Sequence, residues 1–188
     1  MGCSFYPLSL FSFSLRSLFS ISCSLMDILW SPWRYEYIKS EDRRTESEEK
    51  CIFCRLRDDF ERDQDNYVLH RAEHNYIVLN RYPYISGHLL IVPYTHLADI
   101  DQADKQTSDE LMDLTKRCQT ALREAYAPHG FNLGMNLGRA AGAGVAAHIH
   151  LHIMPRWFGD ASFTTSIGET RVIPESLETT YNKLLTRL

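Results

Sequence analysis

The segment His148-Ile149-His150-Leu151-His152-Ile153-Met154 sets a histidine at every second position, with aliphatic residues between. Side chains of an extended strand alternate between its two faces. The spacing therefore predicts a strand over 148–154, with three imidazoles on one face and Ile149, Leu151 and Ile153 turned to the core. One buried histidine is ordinary structure; three in register make a reactive surface or a metal-binding one. A neutral imidazole attacks phosphorus to form a covalent phosphoramidate, which divides a hard displacement into two easier ones. The attacking nitrogen must be unprotonated, and a partner on the other nitrogen must fix the tautomer. Rigid backbone supplies the orientation. On this reading His150, flanked by imidazoles, is the nucleophile, and His152 stabilises charge or handles a proton.

Three further features carry chemistry. Cys51-Ile-Phe-Cys54 has the spacing of a metal knuckle, although two ligands do not make a site. A redox pair and two buried thiols are its other readings. A charged stretch precedes Cys51, where a redox pair would follow a strand. The segment Asn136–Gly144, NLGRAAGAG, is built of small residues whose amides can approach a phosphate closely. Gly142, Ala143 and Gly144, with Asn136, are its candidate contacts. Asn80 lies at a strand end, where asparagine caps turns. Trp157 is an aromatic suited to stacking on a base or to packing.

These residues need a scaffold. Short runs rich in Val, Ile, Leu and Tyr predict strands over 67–71, 75–80 and 88–93, with Pro83 and Gly87 in the turn before the third. Leu111, Leu114, Cys118, Ala121, Leu122 and Ala125 recur at helical spacing. Thr107 with Glu110 reads as a capping box at that helix's start, and Pro128 and Gly130 close it. A strand over 131–137, the small-residue loop, the histidine strand and a final helix around 175–185 complete the order. The expected class is α+β, an antiparallel meander with one main helix.

Composition sets the limits. The chain has 188 residues, is 44% hydrophobic and 23% charged, and suits one ordinary domain with a real core. Its net charge of −4 speaks against a nucleic-acid polymer as partner. An odd count of five cysteines with one recognisable pair is no disulfide framework, so a reducing, cytoplasmic setting is expected. Residues 1–25, rich in Ser, Phe and Leu, lack the unbroken apolar stretch of a signal peptide or membrane span. They read as a disordered or non-native extension, with Met26 as the functional start. Residues 26–50 form an aromatic arm and polar linker, and 51–188 the domain with its C-terminal tail.

The pattern His-Φ-His-Φ-His-Φ-Φ, with Φ apolar, resembles the motif of the histidine triad superfamily. With LWSPWR, CIFC, LNRYPYISGHLLIVP, NLGRAAGAG and HIHLHIMPRWFGD, the chain from about Met26 looks like its bacterial branch that includes diadenosine tetraphosphate phosphorylases. The resemblance implies a half-barrel antiparallel sheet with one long helix and a C-terminal helix, joined into a homodimer. It implies nucleotidyl transfer from a dinucleoside polyphosphate through His150. It assigns Asn80 to the ribose, and Asn136 and the loop before the triad to phosphate. Relatives carry Gln or Ser where Ala143, Gly144 and Val145 stand, so backbone contacts or Arg139 must substitute. It also implies structural zinc on Cys51, Cys54, His96 and His148, while Mg2+ or Mn2+ would arrive with the substrate. Three rivals stay open: phosphoramidate hydrolysis, a nucleotide-binding regulatory module, and a zinc-stabilised interaction protein without turnover.

Overall fold

The computed structural model describes residues 51–161 and 173–188. The expectations for residues 1–25 and 26–50 lie outside these. The elements are α1 (Ile52–Asp58), β1 (Val68–Arg71), β2 (Asn75–Leu79), β3 (Leu89–Pro93), α2 (Lys105–Tyr126), β4 (Gly130–Gly134), β5 (Leu151–Arg156) and α3 (Leu177–Leu185). The strands form one open sheet in the order β1-β2-β3-β5-β4, and every neighbouring pair is antiparallel. Among the described residues no helix is long and apolar enough to cross a membrane.

The middle strand β3 is apolar without interruption because both faces of the sheet are covered there. Ile77, Leu79, Leu89, Ile91, Leu151 and Ile153 share a cluster with Leu111, Leu114, Leu122 and Leu184 of α2 and α3. Each such fully buried aliphatic side chain contributes roughly 1.5–3 kcal/mol. The alternate residues Tyr76, Val78, Leu90 and Val92 pack with Cys51, Phe53 and Cys54 on the opposite face. Gly87, at φ +77°, lets the chain enter β3: a Cβ there would meet Leu122 Cδ2 at 3.0 Å and Pro155 Cγ at 3.2 Å.

Three local expectations change. The N-cap of α2 is Asp104, whose carboxylate accepts from Thr107 N at 2.7 Å. Glu110 is therefore no capping-box partner. Its carboxylate accepts from the amides of Glu73 and His74 and from Asn75 Nδ2, tying the β1–β2 turn to the helix. Second, Cys51-x-x-Cys54 opens a helix, α1, that the charged composition did not suggest. Third, β5 begins at Leu151, so only His152 of the triad lies within a ladder, opposite Leu90 and Gly134. The cause is local. Pro93 has no N–H to donate, its carbonyl accepts from the His148 ring at 2.9 Å, and Ile149 N–H turns to Leu97 O at 2.8 Å.

Candidate active site and metal centre

The metal-ligating candidates meet at one point. A donor atom from each of Cys51, Cys54, His96 and His148 lies within 4.8 Å of the others. Cys51 Sγ is 3.4 Å and Cys54 Sγ 3.6 Å from His148 Nδ1, and Cys54 Sγ is 3.2 Å from His96 Nδ1. With metal–sulfur bonds of about 2.3 Å and metal–nitrogen bonds of about 2.0–2.1 Å, a tetrahedron sets neighbouring sulfur and nitrogen roughly 3.5 Å apart. These spacings are the edges of such a tetrahedron.

The chemistry of the donors agrees. Pro93 O can only accept, so His148 carries its hydrogen on Nε2 and turns the Nδ1 lone pair toward the sulfurs. Burial pushes this imidazole's pKa down to about 4, against the pull of the Pro93 carbonyl, with His96, His150 and Arg57 nearby adding to the fall. Cysteine, histidine and first-turn helix thus form a set that fits a divalent metal and leaves no donor place open to a substrate.

Several contacts hold α1 over that centre. Tyr76 OH donates to Phe53 O at 2.9 Å. Arg71 from β1 reaches Leu56 O at 2.7 Å and Arg57 O at 3.1 Å, and forms a bidentate pair with Asp63. Sequence reasoning did not single out Arg71, because its partners lie in a helix that the composition concealed.

His150 is the next imidazole along. Its Nδ1 lies 3.0 Å from the carbonyl of His148. A carbonyl only accepts, so Nδ1 carries the hydrogen and Nε2 keeps the lone pair. That Nε2 makes no hydrogen bond among the described residues. Burial pushes the pKa below the usual histidine value, which keeps the ring neutral near pH 7, while the His148 carbonyl opposes the fall. Phe53 packs on it with ring centroids 4.9 Å apart, and His152 lies at 4.8 Å. His152 is pushed down to about 4 by burial and by the neighbouring His150. The arrangement offers one neutral nucleophilic nitrogen beside a second buried imidazole.

The small-residue loop precedes this pair in the chain. The loop turns back on itself at Arg139–Ala141, with Gly138 at φ +75° and Gly142 at φ +89°. The amides of Gly142 and Ala143 bond Arg139 O at 2.9 Å and Gly138 O at 3.3 Å, so they serve the turn. Gly144 N makes no such bond among the described residues, and a Cβ on Gly144 would meet open space. Asn136 is half-buried just after β4.

Asn80 realises its turn-capping role: Oδ1 accepts from Tyr82 N at 2.9 Å, and Nδ2 is 3.3 Å from His88 Nδ1. Trp157 donates from Nε1 to Tyr126 O at 3.3 Å. It lines a cavity of about 540 Å³ with Tyr84, Ser86, Tyr126, Met154 and Arg156. Tyr84 connects that cavity to the triad, since its ring stacks on His152 at 6.2 Å. His88, to which the sequence assigned no partner, touches both Asn80 and His152.

The comparisons with known proteins agree with this geometry. The family model described as HIT domain matches residues 61–159. The chain is 36% identical over 160 residues to a Mycobacterium tuberculosis protein named AP-4-A phosphorylase, covering 84% of this chain and 82% of that one. Among solved structures it is similar to a Zn-bound histidine triad family protein from Mycobacterium smegmatis. That likeness has a TM-score of 0.61 and 28% identity, over 75% of this chain and 94% of the other. A hypothetical histidine triad nucleotide-binding protein from Sulfolobus tokodaii matches with a TM-score of 0.58 and 29% identity, over 73% and 91%. With its motif, its five-stranded antiparallel sheet and its paired imidazoles in place, this chain belongs to the HIT domain family.

Proposed function

We propose that the protein is a nucleotidyl transferase or hydrolase that splits diadenosine polyphosphates through a covalent nucleotidyl-histidine intermediate. The observation that carries this is the His148 carbonyl on His150 Nδ1, which leaves Nε2 as a fixed lone pair. Nε2 attacks the α-phosphorus. The N–P bond forms, the bridging P–O bond breaks, and the departing nucleotide takes the electron pair. Water or inorganic phosphate then attacks the same phosphorus, and His150 leaves with its electrons restored. His152 is assigned to donate to a phosphoryl oxygen. Gly144 N and Asn136 are assigned to phosphate. Asn80 and Trp157 are assigned to the nucleoside, Asn80 through the turn it caps. Identity with a relative named AP-4-A phosphorylase supports the substrate class.

Cys51, Cys54, His96 and His148 would hold zinc, which supplies a cross-link between α1 and the catalytic segment; the Zn-bound relative supports that ion. Mg2+ or Mn2+ would enter with the polyphosphate. A cytoplasmic setting suits the buried Cys51, Cys54 and Cys118, which form no disulfide among the described residues. A homodimer is proposed through the outer strand β4, whose Leu133 is exposed.

The test is to trap the intermediate. Wild-type protein with mass-tagged diadenosine tetraphosphate should gain one nucleotidyl group, released by added phosphate or water. His150→Asn should gain none. An adduct that survives in this variant would refute the assignment. Products formed with and without phosphate separate phosphorolysis from hydrolysis, and a nucleoside phosphoramidate as sole substrate would move the protein to that reaction.

A further inference from the structure

We propose that His88 is a positioning residue that fixes His152 as the tautomer with hydrogen on Nε2, making that atom a donor for a phosphoryl oxygen. This rests on the phosphate-transfer reading of the triad. His88 is 1% exposed at the entry to β3, and its Nε2 lies 2.9 Å from His152 Nδ1. Only one of two bonded ring nitrogens carries the hydrogen, and the pair alone does not say which. The far side of His88 decides. Tyr84 N, a backbone amide that can only donate, lies 3.1 Å from His88 Nδ1. Nδ1 therefore holds a lone pair, and the hydrogen of neutral His88 is on Nε2. Asn80 reinforces this. Tyr82 N–H takes Asn80 Oδ1 at 2.9 Å, which orients the Asn80 amide so that its Nδ2 faces His88 Nδ1 at 3.3 Å.

The consequence passes down the chain. His88 Nε2–H donates to His152 Nδ1, so neutral His152 carries its own hydrogen on Nε2. That nitrogen is enclosed and has no hydrogen-bond partner among the described residues. A buried N–H with nothing to donate to is costly in the free protein and becomes useful when an anion arrives. Two backbone amides, at Tyr82 and Tyr84, thus determine what His152 offers a ligand. Without His88, His152 is free to take the other tautomer and present a lone pair, which repels a phosphoryl oxygen. His152 then loses its use although its ring stays in place. Asn80 thereby takes on a second task besides its proposed ribose contact.

The direct test is long-range proton–nitrogen correlation spectroscopy on 15N-histidine-labelled wild-type protein, which reports the protonated nitrogen of each ring. Hydrogen on His152 Nε2 and on His88 Nε2 is expected, with the His152 signal moving when AMP is added. Hydrogen on His152 Nδ1 would overturn the inference, as would a His152 signal indifferent to AMP. Kinetics give the second arm. His88→Leu should lower kcat for diadenosine tetraphosphate roughly 100-fold, with KM changed far less. His88→Gln, which can still donate to His152 Nδ1, should recover most of that loss. Equal kcat in the wild type and His88→Leu would overturn it, as would equal damage in Leu and Gln variants of matched thermal stability. The two readings fail separately. Adduct formation with His152 protonated on Nδ1 strikes this inference alone. Loss of the adduct assignment, with the Nε2 tautomer and AMP response intact, strikes only the covalent route.

Discussion

The carbonyl oxygen of His148 lies 3.0 Å from Nδ1 of His150. One residue therefore faces two tasks: its ring nitrogen points at the two cysteines and its backbone orients the neighbouring imidazole. The candidate metal centre and the proposed nucleophile share a stretch of chain, which links their fates without placing the metal in the proposed reaction.

The first prediction concerns that link. Cys51→Ser should lower bound metal, measured by elemental analysis, from about one ion per chain to near none. Its melting temperature should fall by roughly 5–10 °C, the shift that a loss of 2–3 kcal/mol produces in a chain of this size. Nucleotidyl adduct formation should slow in step. Unchanged metal content would remove Cys51 as a ligand.

The clamp on α1 gives the second. Arg71 uses a planar fork to reach two helix carbonyls and a carboxylate at once, a geometry that lysine cannot copy. Arg71→Lys should weaken metal affinity by roughly 10-fold, the lower end for outer residues that orient a site. Competition against a chromophoric chelator measures it. Wild-type affinity in the variant would show that α1 is held by Tyr76 and apolar packing alone.

Two glycines should behave in opposite ways. Gly87→Ala places a methyl group against Leu122 and Pro155 at a positive φ and should destabilise the fold by about 1–3 kcal/mol. Gly144→Ala meets open space in the protein. It should leave the melting temperature nearly unchanged while lowering kcat/KM for diadenosine tetraphosphate roughly 10-fold, because a 1 Å displacement of a bound phosphate is costly. Unaltered kcat/KM in Gly144→Ala would take that residue out of the binding site.

The pH dependence of stability follows from His152. In the folded protein its pKa is depressed to about 4 by burial and by His150, whereas an unfolded histidine titrates near 6.5. Between these values the unfolded chain binds the extra proton. The contribution is therefore fully present above pH 6.5 and is lost as pH falls toward 4, by on the order of 2–3 kcal/mol. His88, His150 and Tyr84 are the titratable groups packed against this ring. Urea unfolding of the wild type and His152→Asn at pH 7 and pH 5 isolates this contribution, since losses at the candidate metal centre are common to both. The variant should lose less stability on acidification. Parallel losses in the two proteins would show that another group carries the dependence.

Much of this was legible in the residues themselves. Apolar runs reveal β2 and β3, and helical periodicity reveals α2, because both signals are local. The small-residue loop and the spacing of the cysteines are local too. What stayed hidden depends on who meets whom across the sheet. His88 acquires meaning only when β3 pairs with β5, which brings residues 64 positions apart into hydrogen-bond contact. Glu110 looks like a cap until the β1–β2 turn arrives to take its carboxylate. The late start of β5 depends on a proline in another strand.

The antiparallel pairing of Gly134 with His152 closes residues 135–151 into a ring anchored at both ends by a ladder. Lengthening such a ring is thermodynamically cheap, since each doubling costs only about 0.6 kcal/mol. Its reactive end is held by carbonyls and sulfur-facing imidazoles, not by the ring's own length. Natural variation could therefore resize the arc from Asn136 to Gly144 and retarget it to new acceptors, while the imidazole proposed to attack kept its aim.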